Sequence, residues 1–391
     1  MKSEIILKRG RHPRIVNGHP WIYGNEIESI RGTIEAGSIA DIKDERGKFI
    51  GCGYYNPRSQ IAVRLLTRLQ SEKINEGFFR KKLLACSDYR KKIGCGENFR
   101  LVFGEGDFLP ALIIDKFRDV FVLQTLSLGM DRWKNEIVSI LKKDFEATKV
   151  YERNDVPVRK LEGLDVQKGF LSDPFPLQFE IEEHGIKFKI DIEQGQKTGF
   201  FLDQQENRLA LRNISKGAEV LDCFCYTGAF GLYAAKFGAK KVVALDASED
   251  AIQQAKENIS LNNFSCDFDF QTCNAFDILP QWVKEKKSFD IIILDPPSFT
   301  KSRSGVEGAS RGYKEINLRA MKLIRSGGFL LTFSCSHFID PATFFDLVAQ
   351  AATDAGKTIR QVAFLSQSKD HPVVWNIPET NYLKGFLLEV R

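Results

Sequence analysis

Short apolar runs at residues 219–223, 241–245, 290–294 and 328–334 each stop at a polar or turn-forming residue. Such runs predict buried strands. Between them, stretches such as 249–261 and 313–324 repeat their apolar positions every three or four residues, which predicts amphipathic helices. Two late runs, 359–365 and 385–390, bring the named runs to six of the seven strands expected of the sheet. Strand–helix alternation of this kind predicts a parallel sheet with helices on both faces.

The first part of the chain is patterned differently. Segments 34–42, 49–55 and 61–66 alternate or run apolar, with Gly, Asn and Pro between them, and read as short β segments. Residues 71–90 read as an amphipathic helix ending before Gly94-Cys95-Gly96. Strands at 111–114 and 120–126, a helix at 130–143 and a hairpin at 176–190 follow. Three segments result: 1–70, 71–185 and 186–391.

With 391 residues, two or three domains are expected. Contents of 43% hydrophobic and 27% charged residues suit an ordinary soluble protein. No apolar run approaches the roughly 18 residues that span a bilayer, so no membrane association is expected. The N-terminal apolar stretch is too short for a signal peptide. Eight scattered cysteines point to a reducing, cytoplasmic compartment. Cys223-x-Cys225 has no second pair at zinc spacing, so no metal is expected. Residues 1–70 carry 12 Lys/Arg against 7 Asp/Glu, a net of +5 that equals the excess of the whole chain. A basic segment suits a phosphate-backbone binder.

The candidate chemistry lies at the strand ends, where open α/β sheets bind ligands. The first run leads into Asp222-Cys223-Phe224-Cys225-Tyr226-Thr227-Gly228, and glycine there permits a sharp turn and a close backbone approach. The second ends at Asp246, at a spacing that suits an acid on ribose hydroxyls. The alternative is that Asp222 and Asp246 only cap helices. A dinucleotide fold would want Gly-x-Gly-x-x-Gly, whereas this loop has one glycine. The third run ends in Asp295-Pro296-Pro297-Ser298-Phe299, a rigid exit suited to facing a flat base. Cys335, in Ser334-Cys335-Ser336-His337, ends a further run. A thiolate adding at pyrimidine carbon 6 makes carbon 5 able to take a methyl group, a case of covalent catalysis. The alternative is a small buried hydrophobe.

The ordered strand ends resemble the AdoMet site of class I methyltransferases. The whole chain resembles the rRNA large subunit methyltransferase I type, which forms 5-methylcytosine in 23S rRNA. The residues carrying this resemblance are Tyr151-Glu152-Arg153-Asn154-Asp155-Val156-Pro157-Val158-Arg159-Lys160, Glu182-Glu183-His184-Gly185, Gln196-Lys197-Thr198-Gly199-Phe200-Phe201-Leu202-Asp203-Gln204 and Arg311-Gly312-Tyr313-Lys314-Glu315-Ile316-Asn317. The resemblance implies a seven-stranded Rossmann-like α/β domain, preceded by a small β-rich PUA-like domain and a mixed α+β middle domain. It implies S-adenosyl-L-methionine as cofactor, held by Asp222, Phe224, Tyr226 and Gly228, by Asp246 with Ala247, by Asn274, Ala275 and Phe276, and by Asp295. Asn274 stands where the family commonly has Asp. The resemblance further implies Asp295 beside the target base and Cys335 as nucleophile. The 23S rRNA or the assembling large subunit would be the partner, and a homodimer is left open.

Candidate RNA contacts are Lys8, Arg9 and Arg11 in the basic first segment. Lys301, Arg311 and Lys314 lie in or just after a Gly/Ser-rich basic stretch, 300–312, read as a loop beside Asp-Pro-Pro. Trp21 and His184 read as core and hairpin-turn residues. Within the same class, guanine N7 methylation of rRNA is the alternative, and it needs no thiol. From a different class, the alternative is a non-catalytic RNA-binding ribosome-assembly factor.

Overall fold

The computed structural model describes residues 3–10 and 13–391. The chain forms two compact units. The first comprises Met1–Phe179, Ile190–Leu202 and Lys369–Thr380. It holds a six-stranded sheet built from Glu4–Leu7, Trp21–Ile22, Ile27–Arg31, Ile39–Lys43, Phe49–Tyr55 and Val63–Thr67. It also holds a five-stranded sheet running from Asn98–Phe103 to Gln167–Phe170, together with a helix at Glu76–Lys92. Tyr54 and Leu66 from the first sheet pack in one core with Leu101, Met130 and Val150. A buried ion pair, Arg64–Glu162 at 3.0 Å, ties the same two regions.

Much of the Tyr151–Lys160 signature is structural. The Arg153 guanidinium donates to the carbonyls of Ile192 and Gly195, and buried Arg159 pairs with Asp131 at 2.9 Å. A guanidinium's fixed fork of donors suits this kind of multi-point tie.

The second unit comprises Glu180–Lys189, Asp203–Ser368 and Asn381–Arg391. Its strands are β1 (Glu219–Cys223), β2 (Lys241–Asp246), β3 (Asp267–Thr272), β4 (Phe289–Leu294), β5 (Ile324–Ser334), β6 (Ile359–Ser366) and β7 (Lys384–Val390). They lie in the order β3-β2-β1-β4-β5-β7-β6. The first five run parallel, and β7 enters antiparallel between β5 and β6. Its longer helices are α1 (Ala229–Lys236), α2 (Glu249–Ser260), α3 (Ala275–Lys284), α4 (Val306–Leu323) and α5 (Pro341–Asp354). Strand order reverses between β1 and β4, which makes their carboxyl ends the switch-point crevice.

The apolar runs are strands, as their pattern predicts. β3 has no apolar run: Asp267-Phe268-Asp269-Phe270 alternates on a half-buried edge. α4 begins at Val306, so most of the stretch read as a basic loop, 300–312, is helix. Gly308 sits on an open face, and Gly312 lets the helix approach the Phe299 ring, 3.2 Å from where a Cβ would stand. Of the glycines that suggested a loop, Gly312 therefore serves the packing of a helix.

The Glu-Glu-His-Gly turn caps a hairpin, with His184 at φ 49°. Buried Glu183 pairs with Arg208 and accepts from the Tyr233 hydroxyl at 2.8 Å. His184 Nδ1 lies 2.7 Å from the same hydroxyl.

Candidate active site

β1 delivers Asp222 to the crevice, buried. Its Oδ2 accepts from Gly231 N at 2.9 Å, in the first turn of α1, while Oδ1 is buried without a hydrogen-bond partner. Burial pushes this carboxyl up to about 8, and the charges of Asp295 and Asp246 add to the shift. Asp295 and Asp246 thus both act on Asp222 across the crevice, and negative charge gathered there favours a cationic guest.

The loop after β1 is unusual. Phe224, Tyr226 and Gly228 take φ of 62°, 48° and 80°. Bulky residues there are strained, and such strain gathers at functional sites. Two backbone bonds pin it: Cys225 N to Leu245 O at 3.0 Å, and Gly228 N to Cys225 O at 2.8 Å. Cys223 and Cys225 are packed thiols, and burial pushes both well up.

Asp246 uses both oxygens on backbone, Oδ2 accepting from Tyr226 N and Oδ1 from Ser248 N, each at 2.9 Å. Each oxygen keeps a second lone pair. Ser248, not Asp246, caps α2, and Gly228 holds the N-cap position of α1. Ala247 is exposed. Asn274 caps α3, accepting from Phe276 N at 3.0 Å. Ala275 is buried, and half-buried Phe276 lies 5.6 Å from the Phe299 ring.

Asp295 is half-buried at the end of β4 and accepts from Gln204 Nε2 at 2.9 Å. Asn207 in turn donates to Gln204 Oε1 at 2.6 Å, which fixes the amide's orientation. Gln204 closes the Gln196–Gln204 signature, which marks it in the sequence without revealing its partner.

Cys335 follows β5, half-buried, with Sγ 3.9 Å from the Pro296 carbonyl oxygen. The fold therefore joins the thiol to the Asp-Pro-Pro exit. A hydroxyl cluster ties the two turns: Ser298 Oγ to Ser336 Oγ at 3.0 Å, and Ser336 Oγ to the Tyr313 hydroxyl at 2.8 Å. Buried Lys384 on β7 donates to the carbonyls of Ser336 and Ile339 at 2.7 and 2.5 Å. Burial lowers this ammonium to about 8, while interactions with Cys335 and Asp340 favour its charged form. No local signal marks Lys384, because β7–β5 pairing creates its role.

Of the cationic candidates, Lys8 is half-buried and Arg9 exposed, both in the first unit, and Arg11 lies outside the described residues. Lys301 is exposed. Arg311 pairs with Glu307 at 2.5 Å along α4, and Lys314 with Asp354 at 2.8 Å.

A profile of S-adenosylmethionine-dependent methyltransferases matches residues 164–388, and one of PUA-like domains matches 5–68. Fold and family profile together define an S-adenosylmethionine-dependent methyltransferase. Ribosomal RNA large subunit methyltransferase I of Pseudoalteromonas atlantica is 40% identical over 395 residues, covering 100% of both chains. Its counterpart in Serratia proteamaculans is 39% identical over 396 residues, again covering 100% of both. Among solved structures, a protein of Streptococcus mutans assigned as a SAM-dependent methyltransferase superposes with TM-score 0.83 at 20% identity over 100% of both chains. Another, SMU.776, assigned as a methyltransferase and solved with SAH, gives TM-score 0.85 at 20% identity over 100% of both. The chain belongs to the ribosomal RNA large subunit methyltransferase I family, and its cofactor is S-adenosylmethionine. Among the described residues no helix is long and apolar enough to cross a membrane.

Proposed function

We propose that this chain methylates carbon 5 of a cytosine in large-subunit rRNA through a transient covalent bond to Cys335. The observation that carries this reading is the placement of Cys335 Sγ, 3.9 Å from the Pro296 carbonyl in the Asp-Pro-Pro exit.

S-adenosylmethionine supplies an electrophilic methyl on a positively charged sulfur. The crevice residues suit it. Asp222 has an unpartnered buried oxygen, Asp246 keeps lone pairs for ribose hydroxyls, and Phe276 and Asn274 offer a ring and an amide for an adenine. The Cys335 thiolate adds to carbon 6, and the ring's electrons move to carbon 5. Carbon 5 takes the methyl group, with the bonding pair left on the departing sulfur. A base removes the carbon-5 proton, and the Cys335–carbon 6 bond breaks to return the thiolate. Asp295, held by Gln204, steadies the polar edge of the base. Lys384 fixes the turn after Cys335 and places a cation that favours the thiolate. In this reading residues 1–70 serve RNA binding, 71–185 form the middle segment and 186–391 the catalytic part.

Cys335→Ala should abolish transfer to rRNA while keeping cofactor affinity, because the thiol acts only in the chemical step. RNA with 5-fluorocytosine at the target should trap a covalent adduct with the wild-type protein. Full transfer by Cys335→Ala, with no adduct in the wild type, rejects the covalent route and favours guanine N7 chemistry.

A further inference from the structure

A cavity of about 410 Å³ lies within the first unit and shares no residue with the strand-end site. Its volume is in the range that holds a small organic ligand. Leu66, Arg68, Lys81, Lys82, Phe108 and Ile377 are among its walls. Phe108 is 55% exposed, a large ring left in solvent beside a cavity. Its backbone sits at φ 57°, a conformation bulky side chains rarely adopt.

The charges around the ring are unevenly satisfied. Glu72 accepts from the Thr67 hydroxyl and pairs with Lys81 at 3.5 Å, and Glu105 accepts from the Trp21 indole at 2.7 Å. The lining acids are therefore engaged. Arg68 donates to the His19 carbonyl at 3.1 Å, and burial lowers its guanidinium. Lys82 stands 5.7 Å from the centre of the Phe108 ring. Among the described residues neither cation has a carboxylate at salt-bridge distance, although the Lys82 charge acts on Glu72 from further away.

Ile377 belongs to a turn closed by a bridge to Val374. That turn carries Trp375, which is 96% exposed. The turn is firmly held: Asn376 Nδ2 donates to Asn17 O at 2.7 Å, and His19 Nε2 lies 2.9 Å from Glu379. A fully exposed indole on a braced turn offers a flat face on which an unpaired base can stack.

We propose that this cleft binds single-stranded RNA. One unpaired base stacks on Phe108, Arg68 and Lys82 take its phosphates, and a neighbouring base stacks on Trp375. Aromatic platforms beside cations are how proteins hold unpaired nucleotides. The proposal rests on the RNA methyltransferase reading and moves the RNA contact of this unit away from the Lys8–Arg9 stretch.

The test uses the full chain, a fluorescein-labelled twelve-nucleotide oligouridine, anisotropy across a salt series, and calorimetry with S-adenosylmethionine. Phe108→Ala and Trp375→Ala should each weaken RNA binding by about tenfold. Arg68→Gln and Lys82→Gln should each flatten the salt slope by about 0.7. Cofactor affinity should stay within about twofold in all four, which separates a lost contact from misfolding. Unchanged RNA affinity and slope in all four, with a wild type that binds the oligouridine, overturns the cleft and leaves the methyltransferase reading standing. A wild type that transfers no methyl to large-subunit rRNA overturns that reading instead.

Discussion

A carboxyl group raised to about 8, as burial and two neighbouring acids raise Asp222, keeps its proton at neutral pH. The unfolded chain gives that proton up above about 3.9. Between those values the folded state binds more protons, so stability falls as pH rises, by at most about 1.4 kcal/mol per pH unit, and levels off above 8. Asp222→Asn lacks this dependence. Urea unfolding of both proteins between about pH 5 and 8 should show the wild type losing ground to the variant as pH rises. A constant difference would mean that Asp222 is ionised in the fold. Lys384 works in the opposite sense. It is charged below about 8 and loses its charge above. Lys384→Met should slow iodoacetamide alkylation of Cys335 roughly fivefold near neutral pH, about the effect of 1 kcal/mol of charge interaction. The gap should close as pH passes 8, followed on the Cys335 peptide by mass spectrometry. Asp222, Asp246, Asp295 and Cys335 were legible because each ends an apolar run. Gln204 and Lys384 were not, because their partners are set by tertiary pairing, at Asp295 and at the turn after Cys335.

At the scale of elements, the loop from β1 to α1 concentrates the demands of the site. Gly228 combines φ 80° with a would-be Cβ 3.2 Å from that of Ala255 on α2. Gly228→Ala adds left-handed strain of about 1–2 kcal/mol. It should lower the melting temperature and weaken cofactor binding together, by thermal unfolding and calorimetry. An unchanged affinity with a lowered melting point would make the glycine purely structural. The same elements show where patterning reads well. β2 and β4 carry continuous apolar runs, at 242–245 and 291–294, because a parallel strand covered on both faces shows no alternation. β3 escaped because its face alternates Asp with Phe at the sheet edge. α4 was partly misread because Gly305, Gly308 and Gly312 mimic loop composition. In the fold Gly312 makes room for Phe299, and the same helix delivers Tyr313 to Ser336.

For the whole molecule, the segment that composition marks off at residue 70 packs against the segment that follows it. The first seventy residues stand apart by charge and by β patterning, both visible locally. Their dependence on the middle segment is carried by single buried groups. Glu162 lies buried among Arg64 at 3.0 Å, Asn56 Nδ2 at 2.9 Å and Ser59 Oγ at 2.5 Å. Tyr54 donates to Pro110 O at 2.9 Å and would meet a side chain at Gly129 head-on. Removing residues 1–70 would therefore strip one wall from the core and leave Glu162 unpaired, so a truncated chain is a poor test of RNA binding. Arg64→Met isolates the electrostatic part. Breaking a buried pair from one side costs about 3–5 kcal/mol, whereas replacing both partners by apolar groups is often nearly neutral. Urea unfolding should show that loss in Arg64→Met and its partial recovery in Arg64→Met with Glu162→Leu. A loss below about 1 kcal/mol would mean that the β-rich segment stands without its charged tie to the middle segment, whereas a full loss with no recovery in the double variant would place the cost at Asn56 and Ser59, which donate to Glu162.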